Sequence, residues 1–223
     1  MSVNGSLQPT RRPLTAAEAR LLRARISSLR TRGQRAASAG LWIGIVAIAI
    51  LWALTLLVSD APPLVVTGFW LVAGIAIILW VRRDLGADRR AMDSMAAGLQ
   101  SALSRNLALV YDIRSSGFVE FEEMEDEGAC YAFQLKHTDR LVFLSGQEFY
   151  EEARFPSLDF ALVFPLDESD RPVDMLIDKR GAKTSPERRI PAAVKGKFRI
   201  PEDLQLVPGG LSRIEEVLRA RRF

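Results

Sequence analysis

The densest set of chemistry-bearing residues runs from Glu120 to Glu127, where Glu120, Glu122, Glu123, Glu125, Asp126 and Glu127 are carboxylates. Hard cations such as Ca²⁺ need several carboxylate oxygens in one place. The run lacks the alternating Asp or Asn ligands and terminal Glu of a Ca²⁺ loop, and on a strand Glu120 and Glu122 face one side while Glu123 faces the other. A solvated strand edge that discourages sheet-to-sheet pairing is expected here, without a metal.

Three other positions invite a chemical reading. His137 is the only histidine, and it falls in a predicted hairpin loop, a poor place to assemble a triad. Cys130, the only cysteine, sits mid-strand among apolar neighbours with no basic residue close in sequence, so it reads as a small buried hydrophobe and not as an activated thiolate. Ser145-Gly146-Gln147 follows a buried strand and lacks the glycines and Lys of a phosphate loop, so Gly146 is expected to serve a bend. No catalytic residue, cofactor or metal ligand is assigned.

The segment from Lys179 to Arg199 is different. Lys179, Arg180, Lys183, Arg188, Arg189, Lys195, Lys197 and Arg199 stand against the single acid Glu187, with Pro186 and Pro191 among them. It reads as a long basic loop. Three destinations are open to it: anionic lipid headgroups, an acidic partner, or the chain's own Glu120–Glu127 strand.

The elements that must position these residues begin in two apolar runs. No charged residue lies between Ala36 and Ser59 or between Ala61 and Val81, and at ~1.5 Å per residue each run covers a hydrocarbon core of ~30 Å. Pro62 and Pro63 leave only a short connection, so two antiparallel transmembrane helices are expected, at 38–59 and 64–81. Their position and pairing argue against a cleaved signal peptide. Residues 1–38 carry eight Arg against Glu18 alone, while 82–223 carry 22 basic and 25 acidic side chains. The basic excess therefore flanks the apolar runs and is absent from the loop between them, which places both termini on the cytoplasmic side and argues against nucleic acid. Trp42 and Trp80 would lie at headgroup level, whereas Trp52 and Trp70 lie deeper, packed together or facing lipid. Gly40 and Gly44 form a GxxxG spacing, a candidate contact with another helix. The absence of ionisable residues from both runs suits an anchor better than a transporter.

Around this hairpin, residues 1–13 are expected to be disordered. Thr15 and Glu18 make a capping box that opens a basic amphipathic helix over 14–37, which lies on the inner leaflet, packs on the soluble domain, or continues the first span. A linker helix is expected at 82–105. Residues 106–223 form a β-rich domain with strands at 107–114, 117–124, 129–136, 140–145, 158–165 and 172–178. Leu141, Val142, Phe143 and Leu144 read as a strand buried on both faces. Ser212 and Glu215 suggest a capping box opening a C-terminal helix. The fold class is a transmembrane helical hairpin plus an α+β domain, a small antiparallel curled sheet or partial barrel with flanking helices.

The runs Val119-Glu120-Phe121-Glu122-Glu123-Met124-Glu125-Asp126-Glu127-Gly128, Leu141 to Gln147, Phe155-Pro156 with Phe160, and Ile200-Pro201-Glu202-Asp203 resemble an uncharacterised domain of bacterial membrane-anchored proteins. The resemblance covers 107–218 and implies a recurring β-rich domain with no assigned activity. The Arg- and Ala-rich, Lys-poor composition suits a high-GC bacterium. The expectation is a two-pass inner-membrane protein displaying a cytoplasmic binding or scaffolding domain, not an enzyme, with membrane lipid, another membrane protein or a second copy of itself as partner. Alternatives are a small-ligand sensor or enzyme with a pocket between the sheet and the flanking helices, suggested by Phe143, Phe160 and Phe164, and an accessory subunit of a membrane complex.

Overall fold

The computed structural model describes residues 7–58, 62–124, 126, 128–150 and 155–220. The chain forms two compact units. Leu14–Asn106 and Leu166–Val173 make up one, and Leu107–Pro165 with the described parts of Met1–Pro13 and Asp174–Phe223 make up the other.

The first unit is helical. Helix α1 spans Ala16–Val58 and α2 spans Pro63–Arg105. The capping box at the start of α1 is formed: the Thr15 N–H donates to Glu18 Oε2 at 2.7 Å and the Glu18 N–H to Thr15 Oγ1 at 3.3 Å. Proline at the first helical position starts α2, where a missing N–H costs nothing. Asn106, in the left-handed region at φ 55°, ends it with its N–H on Ala102 O.

Each helix was expected as two. The apolar segment and its basic flank share one continuous helix in both cases, because no proline interrupts either flank and the isolated Gly33, Gly86 and Gly98 are each tolerated at about 1 kcal/mol. The basic segment of α1 thus continues the apolar segment. Among the described residues, α2 is the helix long and apolar enough to cross a membrane, and the apolar stretch described in α1 is Gly44–Val58.

The two helices run antiparallel: Ile48, which precedes Trp52 and Thr55 in α1, meets Gly74, which follows Thr67 and Trp70 in α2. The Trp52 indole N–H donates to Thr67 Oγ1 at 3.3 Å, the Trp70 N–H donates to Thr55 Oγ1 at 3.0 Å, and the Cα of Gly74 backs onto Ile48. The last turn of α2 also grips the Leu166–Val173 segment. Arg105 donates to Asp167 O at 2.6 Å and pairs with Asp170, and the Ser101 hydroxyl oxygen accepts from the Glu168 N–H.

The second unit holds eight strands, almost all antiparallel: β1 (Thr10–Arg12), β2 (Ala108–Phe121), β3 (Ala129–Leu135), β4 (Arg140–Gly146), β5 (Asp159–Pro165), β6 (Leu176–Lys179), β7 (Arg188–Ile190) and β8 (Leu206–Pro208). Their order is β6-β5-β2-β3-β4-β8, with β1 and β7 each added to β2, so the sheet is open and not a closed barrel. Two strands expected at 107–114 and 117–124 are one strand that changes partners. Its first half lies between β1 and β5; past an irregularity at Ser115/Gly117, its second half lies between β3 and β7, the latter parallel.

Residues 10–12, expected within a disordered leader, thus form β1, held by register Thr10↔Val110. Strands β1, β7 and β8 are three residues each and carry no alternation long enough to be read from sequence. At the C-terminal end, the short helix α4 (Ile214–Arg219) follows a 3₁₀ turn over Leu211–Arg213 and has no side-chain cap, so the Ser212–Glu215 box does not form.

Two cores follow from the pleat. One contains Ile113, Phe118, Phe133, Val142, Leu144, Phe160 and Leu162; the other contains Val119, Phe121, Leu141, Phe143, Val207, Ile214 and Leu218. Successive residues of β4 alternate between them, which is why Leu141, Val142, Phe143 and Leu144 are all buried. At the end of β4, Gly128 at φ 87° passes so close to the β4 turn that an added Cβ would fall 2.5 Å from Gly146 C and Gln147 N.

Gly128→Ala is expected to cost about 2–4 kcal/mol, from left-handed strain plus backbone overlap. Phe133→Ala, in the fully buried centre of the aromatic core, is expected to cost about 3–5 kcal/mol. Denaturant unfolding of the full chain measures both, with the exposed Thr138→Ala as a reference near zero.

Candidate functional site

The acidic run is not an open edge. Strand β7 lies parallel to β2 with Arg188 opposite Val119 and Arg189 opposite Glu120. The Arg189 Nε donates to Glu120 Oε2 at 2.9 Å, and the Ala192 N–H donates to Glu122. Glu123 accepts the Gly128 N–H on one oxygen and the Tyr150 O–H, at 2.8 Å, on the other. Glu125 and Glu127 lie outside the described residues. Charge complementarity between two segments far apart in sequence replaces the solvated edge that was expected. No group of three metal-capable side chains occurs among the described residues.

The basic segment is likewise not one loop. Lys179 ends β6 opposite Phe160. Arg180 donates to Asp112 at 2.6 Å and to Asp178 at 3.1 Å; burial lowers its pKa, but the two carboxylates outweigh burial and hold it above the ordinary value. Arg188 lies 3.5 Å from Glu215 of α4. Lys195 closes the one-turn helix α3 (Ala192–Lys195) and is only 5% exposed. Lys183, Lys197 and Arg199 are exposed. At least three of the eight cations, Arg180, Arg188 and Arg189, therefore bind carboxylates of their own unit, and Lys195 is buried.

The remaining sequence candidates are also placed. Cys130 is buried at 1% exposure, and His137 lies in the β3–β4 turn at φ 59°. The Ser145 N–H and hydroxyl both donate to Asp203 Oδ1, at 2.7 and 2.9 Å, and Gly146 turns the chain at φ 148° into the 3₁₀ turn Gln147–Phe149. Phe143 and Phe160 do not share a pocket: they are fully buried in different cores, and Phe164 stacks edge-on against Tyr111. The surroundings of Gly40 lie outside what is described, and a Cβ placed on Gly44 meets open space.

Among the described residues of the sheet unit, clefts open at two places beside the acidic strand. The larger, about 650 Å³, lies between Met124, Gly128, Ser145, Lys195 and Phe198. Its serine is already committed to Asp203. The smaller, about 370 Å³, forms where β2, β3 and β7 meet the turn after β4 and the loop at 183–186. Phe149, Phe155, Pro156 and Pro186 give it apolar walls, and Glu120, Tyr131, Lys183, Ser185 and Arg189 give it polar groups.

Tyr131 is the residue that sequence reasoning missed here. Burial, followed by the nearby Glu120 carboxylate, pushes its phenol from 10.0 up to about 12. Tyr150 is also pushed up to about 12, by partial desolvation and by its hydrogen bond to Glu123. The cleft draws its polar groups from β2, β3, β7 and a loop, so no local motif announces it.

Comparison of the chain with protein-family models, with curated proteins and with solved structures returned no match. The functional reading therefore rests on the residues themselves.

Both tyrosines have folded values above that of a free phenol. Their contribution to stability is complete below pH 10.0 and is lost as pH rises toward about 12. Spectrophotometric titration is expected to show two of the three tyrosines ionising late. Glu123→Gln is expected to bring Tyr150 down toward the ordinary value with no comparable change at Tyr131.

Proposed function

We propose that the chain is a two-pass protein of the bacterial inner membrane, anchored by α1 and α2 with both termini cytoplasmic, that presents its sheet unit as a binding or scaffolding module. The observation that carries this reading is the distribution of exposed apolar surface. All but three of the exposed large apolar side chains among the described residues lie between Trp42 and Trp80, including Leu57, Val58 and Leu64 at 82, 84 and 87% exposure. A soluble monomer rarely leaves more than a few hundred Å² of contiguous apolar surface in water. In a bilayer the same surface carries no penalty.

The interior of the helix pair fits that solvent. Indole N–H and threonine O–H groups have no water to bond with in hydrocarbon, and the reciprocal Trp52–Thr67 and Trp70–Thr55 hydrogen bonds provide partners across the pair. The Arg residues flanking both apolar segments, against none in the connection, set the orientation. What supports a binding role is that the sheet unit has clefts lined by polar groups and exposes Lys183 and Arg199.

Alkaline carbonate extraction is expected to leave the chain in the membrane pellet, and protease added to the outer face is expected to spare the sheet unit. Release into the supernatant, or cleavage from outside, would sink the reading. Crosslinking in the membrane followed by mass spectrometry is expected to recover a second protein or a second copy; recovery of the chain alone as a monomer counts against the binding module. Thr55→Val and Thr67→Val are each expected to weaken the helix pair by about 0.6–1.7 kcal/mol, read from its unfolding in mixed micelles.

A further inference from the structure

We infer that the cleft beside Tyr131 binds a small organic anion, a carboxylate or phosphate group carried on a flat apolar body. Tyr131 is only 5% exposed, and its ring is fixed edge-on against Phe118 at 5.8 Å and Phe155 at 5.5 Å. Buried phenols ordinarily find a hydrogen-bond partner. The Tyr131 hydroxyl has none among the described residues, and the side chain lines the cleft. Its raised pKa keeps the O–H protonated, hence a donor, throughout the neutral range.

The loop before β7 supplies matching groups to the same cleft. Lys183 brings an ammonium and Ser185 a hydroxyl, neither of them hydrogen-bonded through its side chain to any described residue. The other polar groups of the cleft are already paired: Glu120 with Arg189, the Tyr150 O–H with Glu123, and the Thr184 hydroxyl with Ala182 O. What remains is a phenol, a hydroxyl and an ammonium, all able to donate. An ionised carboxylate or phosphate only accepts, and charge-assisted hydrogen bonds to such oxygens are the strong ones. Phe149 and Phe155, stacked at 5.2 Å, face the same space with Pro156 and Pro186. A volume of about 370 Å³ lies in the range of small-molecule sites. The inference does not depend on where the helices reside.

Isothermal titration of the full chain with phenyl phosphate and with benzoate tests it, with benzyl alcohol as the neutral probe and inorganic phosphate as the head group alone. One or both aromatic anions are expected to bind saturably, and benzyl alcohol is not. Lys183→Met, at an exposed position, and Tyr131→Phe, which keeps the ring cluster, are each expected to weaken binding by about tenfold or more. Absence of saturable binding by both aromatic anions overturns the proposal, as does affinity unchanged in both variants. Inorganic phosphate binding as tightly as phenyl phosphate overturns the role given to the apolar wall.

Discussion

Everything in the sheet unit depends on how β2 satisfies its backbone. A strand of 14 residues would extend ~45 Å if straight, longer than one small core covers. At the irregularity between Ser115 and Gly117 the strand bends as bulged strands do, and the completely buried Ser115 helps to close it: its N–H and its hydroxyl both donate to Leu158 O, at 2.8 and 3.1 Å, while the Lys136 N–H donates to Arg114 O at 2.9 Å. An unpaired amide at this depth would cost a few kcal/mol. Gly117 then lets the Glu187 side chain lie across the strand where any Cβ would collide with it. One bend thus delivers Ile113 and Phe118 from the two halves of one strand into a single core with Phe133 and Phe160.

The same bend decides the electrostatics. Beyond it, the second half of β2 leaves one edge to be filled, and β7 fills it in parallel, so that Arg189 meets Glu120 and the Ala192 N–H meets Glu122. Two segments that each look like an isolated block of one charge become mutually compensating. The cleft beside Tyr131 is a by-product of this closure. Its lining joins Phe149 and Phe155 of the aromatic core to Arg189 of β7 and to Lys183 and Ser185 of the loop before it, and Tyr131, Lys183 and Ser185 there have donors without acceptors among the described residues.

The helical unit obeys a different constraint. Its side chains between Trp42 and Trp80 gain little by packing on one another, because two helices bury only a narrow seam and leave the rest exposed. The seam is marked by Gly74 against Ile48 and by the crossed Trp–Thr pairs. The close approach of the helices occurs there, at a glycine with no partner in a GxxxG spacing, while Gly44 faces open space. Small residues permit close approach, but the facing side chain decides where it happens.

What the sequence by itself determined was whatever is set within a few residues: the capping box at Thr15 and Glu18, the antiparallel helix pair implied by Pro62 and Pro63, the hairpin turn at His137, and the doubly buried β4. These follow from apolar periodicity, proline geometry and short-range hydrogen bonding, all local. Tertiary structure alone decided the single bent β2, the three-residue strands β1, β7 and β8, the pairing of Arg189 with Glu120 and of Arg180 with Asp112, and the cleft around Tyr131. Each joins residues tens of positions apart. Strands of three residues carry too little pattern to be read, and a charge does not reveal its partner until the backbone has brought the two together. The basic segment was visible from composition, but whether its cations faced outward or inward depended on a register that only the folded sheet specifies.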